Sequence, residues 1–458
     1  MILPFFDRAE ERAALAQFVS GVEGGFGVLF GRRRCGKSRL LQESLPAGRS
    51  TYYVGDDRES AIQRAALAVE IGRRLPGFDA VRYPDWDALL SRFFREAPAG
   101  SVLALDEFPA LVHAAGEFPS VLQKHLDRRP PASVHVVIAG SSQRMMQGLV
   151  LDRAAPLFGR ATAIIPVRPL PAAWIQKALP VRGPVEAIEA FAVWGGVPRY
   201  WELAADHPSL QQALRALVLS PLGVLHDEPS RLLLDDLRDT TQAASILSLV
   251  ARGSHRLSEI AARIEKPATS LVRPMQRLLD LGLVQREMPF GSSLRDTKRT
   301  LYKVSDPFLR YWFRFVEPAW SRLESRQFDA VEADIARTFP HHVAGVWEEL
   351  ARASVSGLSA FGHSWGPASR WWGTGLNRQP MEIDVVAESD DESSILLGEA
   401  VWSHGGDAAA RLAALRQKAT VFPLRAGRTV HLALFLARPA RVKGARVFTP
   451  RHVLAALR

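Results

Sequence analysis

The stretch GRRRCGKS at residues 31–38 places a glycine, four residues and then Gly36-Lys37-Ser38. That spacing suits a loop whose backbone N–H groups converge on phosphate. Glycines permit the curl, Lys37 brings a point charge to the β and γ phosphates, and the Ser38 hydroxyl binds Mg²⁺. Gly31, Arg32, Arg33, Arg34, Cys35, Gly36, Lys37, Ser38 and Arg39 are therefore the expected nucleotide contacts. The other half of such a site is an acid ending a neighbouring apolar strand. In SVLALDEF (101–108), Asp106 is expected to hold Mg²⁺ and Glu107 to orient an attacking water. ATP and Mg²⁺ are the implied cofactors.

A phosphate loop needs a strand before it and a helix after it. GFGVLF (25–30) is a short apolar run that reads as a buried parallel strand, and SRLLQESL from Ser38 reads as a helix. TYYVG (51–55), SVLALDEF and SVHVVIAGSS (133–142) read as further strands between helical stretches, so a parallel sheet covered on both faces is expected. Ser141, Ser142 or Gln143, closing the last of these strands, could sense the γ-phosphate, or simply end the strand in a turn. Arg160, in PLFGR (156–160), is a candidate arginine finger in cis or in trans, although the chain is rich in arginine.

Taken together, FFDRAEE, GRRRCGKS, LALDEFPAL, AGSSQRMM, PLFGR and GGVPRY resemble the archaeal and bacterial P-loop ATPases grouped near the STAND and AAA+ classes, over residues 5 to about 230. The resemblance implies an ATP-dependent switch rather than a metabolic kinase. It places GGVPRY in the segment that joins the ATPase core to a helical lid, where the proline alternatively just caps a helix.

Residues 256–287, RLSEIAARIEKPATSLVRPMQRLLDLGLVQRE, read as helix, turn, helix and strand. Ser258 is the expected cap of the first helix, and Pro267-Ala268-Thr269 the start of the second, with Ser270, Arg273 and Arg277 on its polar side. Arg295, Lys298, Arg299 and Lys303 fall in a hairpin resembling a wing. Such a winged helix either places its second helix in a major groove or serves as a packing module. SDPFLRYWFRFVEP (305–318) reads as core.

Strands are expected again at 381–389 and 394–402, then a helix at 407–420 and a strand at 429–437. VWEEL, MEIDVVAE and LLGEAVW resemble the PD-(D/E)XK nuclease core, which implies a site of Glu348, Asp384 and Glu399. Val401 stands where that pattern has its lysine, so a degenerate scaffold is expected, with Lys418 as the one possible substitute. An active nuclease and a domain unrelated to nucleases are the alternatives.

The chain has 458 residues, 47% hydrophobic and 23% charged, in the range of a folded protein of about three domains. The expected segments are an ATPase core (1–168), a helical lid (169–238), a winged helix (239–305) and a nuclease-like end domain (306–458). A net charge of +10 permits a polyanion partner such as DNA without requiring one. A single cysteine excludes an intrachain disulfide and a cysteine-rich zinc site. Without a signal peptide or a run long enough to span a membrane, a cytoplasmic protein is expected. The expected function is a slow Mg-ATP hydrolase that switches contacts with an unidentified protein or DNA partner. The alternative is an ATP-regulated protein that binds or cuts DNA. Cys35, beside Arg34 and a helix start, is expected to be a reactive thiol.

Overall fold

The computed structural model describes residues 3–128, 133–153, 155–237, 239–293, 299–403, 405 and 407–458. They form two compact units, Phe5–Leu170 and a larger one made chiefly of Pro171–Arg458.

The first unit runs α1 (Ala9–Val19), β1 (Gly25–Phe30), α2 (Lys37–Ser44), β2 (Ser50–Val54), α3 (Ser60–Gly72), α4 (Trp86–Glu96), β3 (Val102–Asp106), α5 (Phe108–Ala114), α6 (Phe118–Asp127), β4 (His135–Gly140), α7 (Gln143–Met146) and β5 (Ala163–Pro166). The strands pair in parallel in the order β2-β3-β4-β1-β5. Every residue of β3 and β4 is buried, because helices cover both faces and leave no side for polar alternation. On one face, Phe26, Trp86, Phe93, Phe108 and Phe118 form an aromatic core. On the other, Leu15, Leu29, Leu40 and Leu41 pack the helices that flank the phosphate loop. The carboxyl ends of β1, β3 and β4 therefore meet along one rim, the place where open α/β sheets gather ligand-binding loops.

The second unit begins with helices α8 (Ile175–Ala178), α9 (Pro184–Trp194), α10 (Pro198–Ala204), α11 (Leu210–Leu214) and α12 (Glu228–Asp236). Pro198 of GGVPRY is the first residue of α10, where its missing N–H costs nothing. Next come α13 (Thr240–Ala251), α14 (Leu257–Ile264), α15 (Ala268–Asp280) and an antiparallel pair, β6 (Val284–Glu287) and β7 (Leu301–Val304). The start of α14 differs from expectation. Ser258 lies inside the helix, and the Glu259 carboxylate caps it by accepting from the N–H groups of His255 (3.1 Å) and Arg256 (3.2 Å).

The aromatic run forms α16 (Pro307–Tyr311) and the turn after it, with Phe308, Tyr311, Trp312 and Phe313 buried as expected. Then follow α17 (Trp320–Glu324) and α18 (Phe328–Ser354), β8 (Ser369–Thr374), β9 (Pro380–Glu388), β10 (Ser394–Val401), α19 (Ala408–Val421), β11 (Thr429–Leu436), β12 (Arg446–Phe448) and α20 (Pro450–Ala456). This second sheet has the order β12-β11-β10-β9-β8, antiparallel from β8 to β10 and parallel from β10 to β12. Helix α18 is tied to the sheet where the Trp347 indole donates to the Phe435 carbonyl (3.1 Å). Helix α19 packs Leu412 and Leu415 into the sheet core. Among the described residues no helix is long and apolar enough to cross a membrane.

Candidate functional site

The phosphate loop joins β1 to α2. Gly36 holds φ 88° at the start of α2 and Arg34 holds φ 67°, the left-handed turns that curl the backbone inward. Gly31 is required for a different reason: a Cβ there would lie 2.2 Å from the Val167 carbonyl oxygen. Lys37 is 5% exposed, and its ammonium donates to the carbonyls of Gly31 (2.8 Å) and Arg32 (2.9 Å). The loop therefore closes over the lysine, whose ammonium is held by the loop's own carbonyls. Arg8 braces the loop from beneath. Its buried guanidinium donates to the carbonyls of Cys35 (3.0 Å) and Arg168 (2.6 Å) and pairs with Glu11 (2.8 Å). The sequence reading did not assign Arg8; its place in FFDRAEE was the only trace.

Cys35 corrects an expectation. Its side chain is fully buried against Leu40 and Leu41, and burial pushes its thiol pKa up despite Arg32, Lys37 and Arg8 nearby. The side chain belongs to the core, and only its backbone belongs to the loop. The folded protein should therefore label with maleimide far more slowly than the urea-unfolded chain. Comparable rates before and after unfolding would contradict this burial.

The acid half assembles on the same rim. Asp106, 1% exposed, ends β3; its Oδ1 accepts from the Glu107 N–H (2.9 Å) and its Oδ2 from the Tyr52 hydroxyl (2.7 Å). The Tyr52 hydroxyl also contacts Ser38 and Gln42, and burial followed by its bond to Asp106 raises its pKa. Tyr52 thus links the two residues expected at Mg²⁺, a role no sequence motif announces. The hydroxyl of Ser38 and the carboxylate of Asp106 are hard oxygen donors of the kind Mg²⁺ takes, so the residues present fit that ion.

Glu107 sits at φ 46° before α5, turned toward β4, where the Ser141 hydroxyl donates to its Oε2 (3.0 Å). Ser142 accepts from the Met145 N–H (3.4 Å), as a turn residue does. The side chain of Gln143 lies outside the described residues. Arg160 is engaged elsewhere: it grips Asp127 through two bonds (2.7 and 2.9 Å) and donates to the Pro156 and Phe158 carbonyls.

In the second unit, the three acids of the expected nuclease-like site come near one another. The Asp384 carboxylate accepts from the Ala400 N–H (2.9 Å), next to Glu399, and Lys418 reaches from α19 to Glu399 Oε2 (2.9 Å). Burial, then the neighbouring Glu399, pushes Asp384 up to about 6. Burial, then Asp384, pushes Glu348 up to about 7. Val401 lines the sheet core as an apolar residue. Among the described residues no three His, Cys, Asp or Glu side chains converge closely enough to hold a metal.

A carboxyl pKa raised by folding means the folded state keeps a proton that the unfolded chain releases. Stability then falls as pH rises from about 4 through about 7. Glu348→Gln is accordingly expected to stabilise this unit by about 2 kcal/mol at pH 8 and by little at pH 4, read as thermal melting at both. A pH-independent effect would contradict the crowded-carboxyl geometry.

On the middle unit, Ser270, Arg273 and Arg277 are exposed on α15. Of the hairpin cations, Arg295 and Lys298 lie outside the described residues. Arg299 donates to the Trp372 carbonyl and Lys303 pairs with Glu287 (2.9 Å). These two face inward, so they do not form the basic wing expected.

Residues 312–413 match a family model described as archaeal and bacterial proteins of unknown function. An uncharacterized protein of Methanocaldococcus jannaschii is 26% identical over 408 residues, 87% of each chain. Among solved structures, the Walker-type ATPase of Pyrococcus abyssi is similar at TM-score 0.51 and 18% identity, covering 68% of this chain and 96% of its own. That likeness shows the fold, over a larger share of the chain than residues 5–170 supply. The ORC2 protein of Aeropyrum pernix, at TM-score 0.44 and 15% identity over 73% of this chain and 97% of its own, is too distant to add to it.

Proposed function

We propose that this protein is an ATP hydrolase that acts as a nucleotide-dependent switch on a protein or DNA partner. The observation that carries this reading is the joining of the two half-sites: Ser38 of the phosphate loop meets Asp106 of β3 across the Tyr52 hydroxyl. The loop amides and Lys37 would bind the phosphates, and Lys37 would leave the Gly31 and Arg32 carbonyls to do so. Ser38 and Asp106 would hold Mg²⁺, whose charge offsets that of the phosphates. Glu107 would take a proton from the attacking water once freed from Ser141.

Slow turnover fits the resting arrangement. Glu107 is held by Ser141, and Arg160, the candidate finger, is held by Asp127. Hydrolysis through both therefore waits on a rearrangement that a partner could supply. Steady-state phosphate release by the isolated protein tests this. A rate far below the common enzyme value of about 10 s⁻¹ is expected, and a rate near it would rule out the switch while leaving the hydrolase.

A second reading, ATP-regulated DNA binding or cleavage, draws on Arg273 and Arg277 on α15 and on the Lys418–Glu399 pair. Val401 supplies no ammonium on the strand, and Lys418 would supply one from the helix, where it already meets Glu399 (2.9 Å). A plasmid-nicking assay with Mg²⁺ and Mn²⁺ decides it. Nicking by the wild type that disappears in Asp384→Ala and Lys418→Ala supports cleavage, and silence throughout leaves a scaffold.

A further inference from the structure

The second unit holds a cavity of about 490 Å³, with Glu348 of the acid cluster on one wall. It lies where the end of α13 and β7 meet α16, α18 and β8. Its size is that of a small-ligand site. Five cationic side chains line it, Arg252, Lys303, Arg310, Arg314 and Arg370, against two carboxylates, Glu348 and Glu349.

Much of this charge is already compensated. Lys303 pairs with Glu287 (2.9 Å), Arg310 with Glu349 (3.0 Å), and Arg370 with Glu382 and Glu287. Arg314 is different. It is partly buried, and among the described residues no carboxylate lies within ion-pair distance of it. Its guanidinium lies 5.4 Å from the Phe315 ring and one helical turn from Arg310. Burial, then the charge of Arg310, lowers its pKa. Arg252, on the rim, likewise has no carboxylate at that distance among the described residues.

A desolvated cation crowded by another cation is costly unless an anion joins it. Guanidinium groups in pairs match the oxygen geometry of phosphate better than that of a singly charged anion. Of the two carboxylates on the wall, Glu349 is taken up by Arg310 and Lys303, and Glu348 is pushed up to about 7 by burial and then Asp384, so neither compensates Arg314 or Arg252. We infer that this cavity is a second phosphate site, separate from the loop at residues 31–38, that takes a phosphate monoester through Arg314 and Arg252. The monoester is carried either by a free nucleotide or by the end of a nucleic-acid strand.

The test uses the full chain carrying Lys37→Ala, which silences the phosphate loop. Inorganic pyrophosphate is expected to raise the melting temperature of this protein. Adding Arg314→Gln should remove that shift and weaken pyrophosphate binding by about tenfold or more, while Arg314→Lys keeps part of it. The ligand-free Arg314→Gln protein should melt no lower than its parent, because relief of the crowding offsets the lost packing. The exposed Arg252→Gln is a second variant that leaves the core untouched, and it should weaken binding severalfold.

Oligonucleotides with a 5′-phosphate or a 5′-hydroxyl, and a mononucleotide, then separate the sources. Preference for the phosphorylated strand assigns the strand end, and mononucleotide binding without strand discrimination assigns the free nucleotide. No pyrophosphate shift, or a shift that survives both Arg314→Gln and Arg252→Gln, overturns the proposal.

Discussion

Glu107→Gln is expected to leave ATP affinity within about twofold of the wild type and to slow phosphate release by about two to three orders of magnitude. Glu107 is placed to act on water rather than to bind nucleotide. It follows the strand-end Asp106, its backbone turns at φ 46°, and its carboxylate accepts from Ser141 just beyond the neighbouring strand (3.0 Å). Glutamine keeps the shape and the acceptor for Ser141 but cannot take a proton. Ser141→Ala makes the complementary change. It frees Glu107, so phosphate release should hold or rise if Ser141 only restrains the acid. A fall like that of Glu107→Gln would instead place Ser141 among the residues that contact the γ-phosphate. An unchanged rate in Glu107→Gln would remove this residue from the chemistry.

Lys37→Ala is expected to weaken ATP binding by about a hundredfold or more, the scale of losing a buried charge-assisted contact. Lys37 is enclosed by its own loop, with both carbonyl partners within six residues in sequence. Alanine therefore removes the phosphate contact and also the ammonium that steadies the Gly31 and Arg32 carbonyls. A melting curve beside the titration separates these effects: the fold should survive, because the cores on both sheet faces are intact. Fluorescent-ATP titration giving undiminished affinity in a folded Lys37→Ala protein would refute the assignment.

The parts of this molecule that were legible in the sequence are those whose physics is local. GRRRCGKS needs only its glycines and the strand and helix beside it, and GFGVLF, LALD and HVVIAG are continuous apolar runs because both faces of their sheet are covered. β5, β8 and β12 were not legible. Ala163–Pro166 is four residues with Ile164 exposed and a proline, Ser369–Thr374 mixes tryptophan with glycine and serine, and Arg446–Phe448 is three residues long. Such strands are specified by the neighbour they pair with, not by their own pattern.

The same limit applies to the site. Asp106 and Glu107 follow a readable strand, whereas Tyr52 joins Ser38 to Asp106 only because β2 lies beside β3. Arg8 supports the loop from 27 residues away. Cys35 misled for the converse reason. Position in the loop suggested an exposed thiolate, but the side chain packs into the core with Leu40 and Leu41 of α2. At the far end, Val401 brings no charge, and Lys418, the substitute expected from the sequence, meets Glu399 from the next helix.

A single-turnover experiment tests the central claim most directly. Trace γ-labelled ATP is mixed with excess wild-type protein and Mg²⁺, and retained nucleotide and released phosphate are followed in the same sample. Prompt retention of the label is expected, followed by slow phosphate release that Glu107→Gln nearly abolishes. No retention of label by the folded wild-type protein, or release at the same rate in Glu107→Gln, would contradict it.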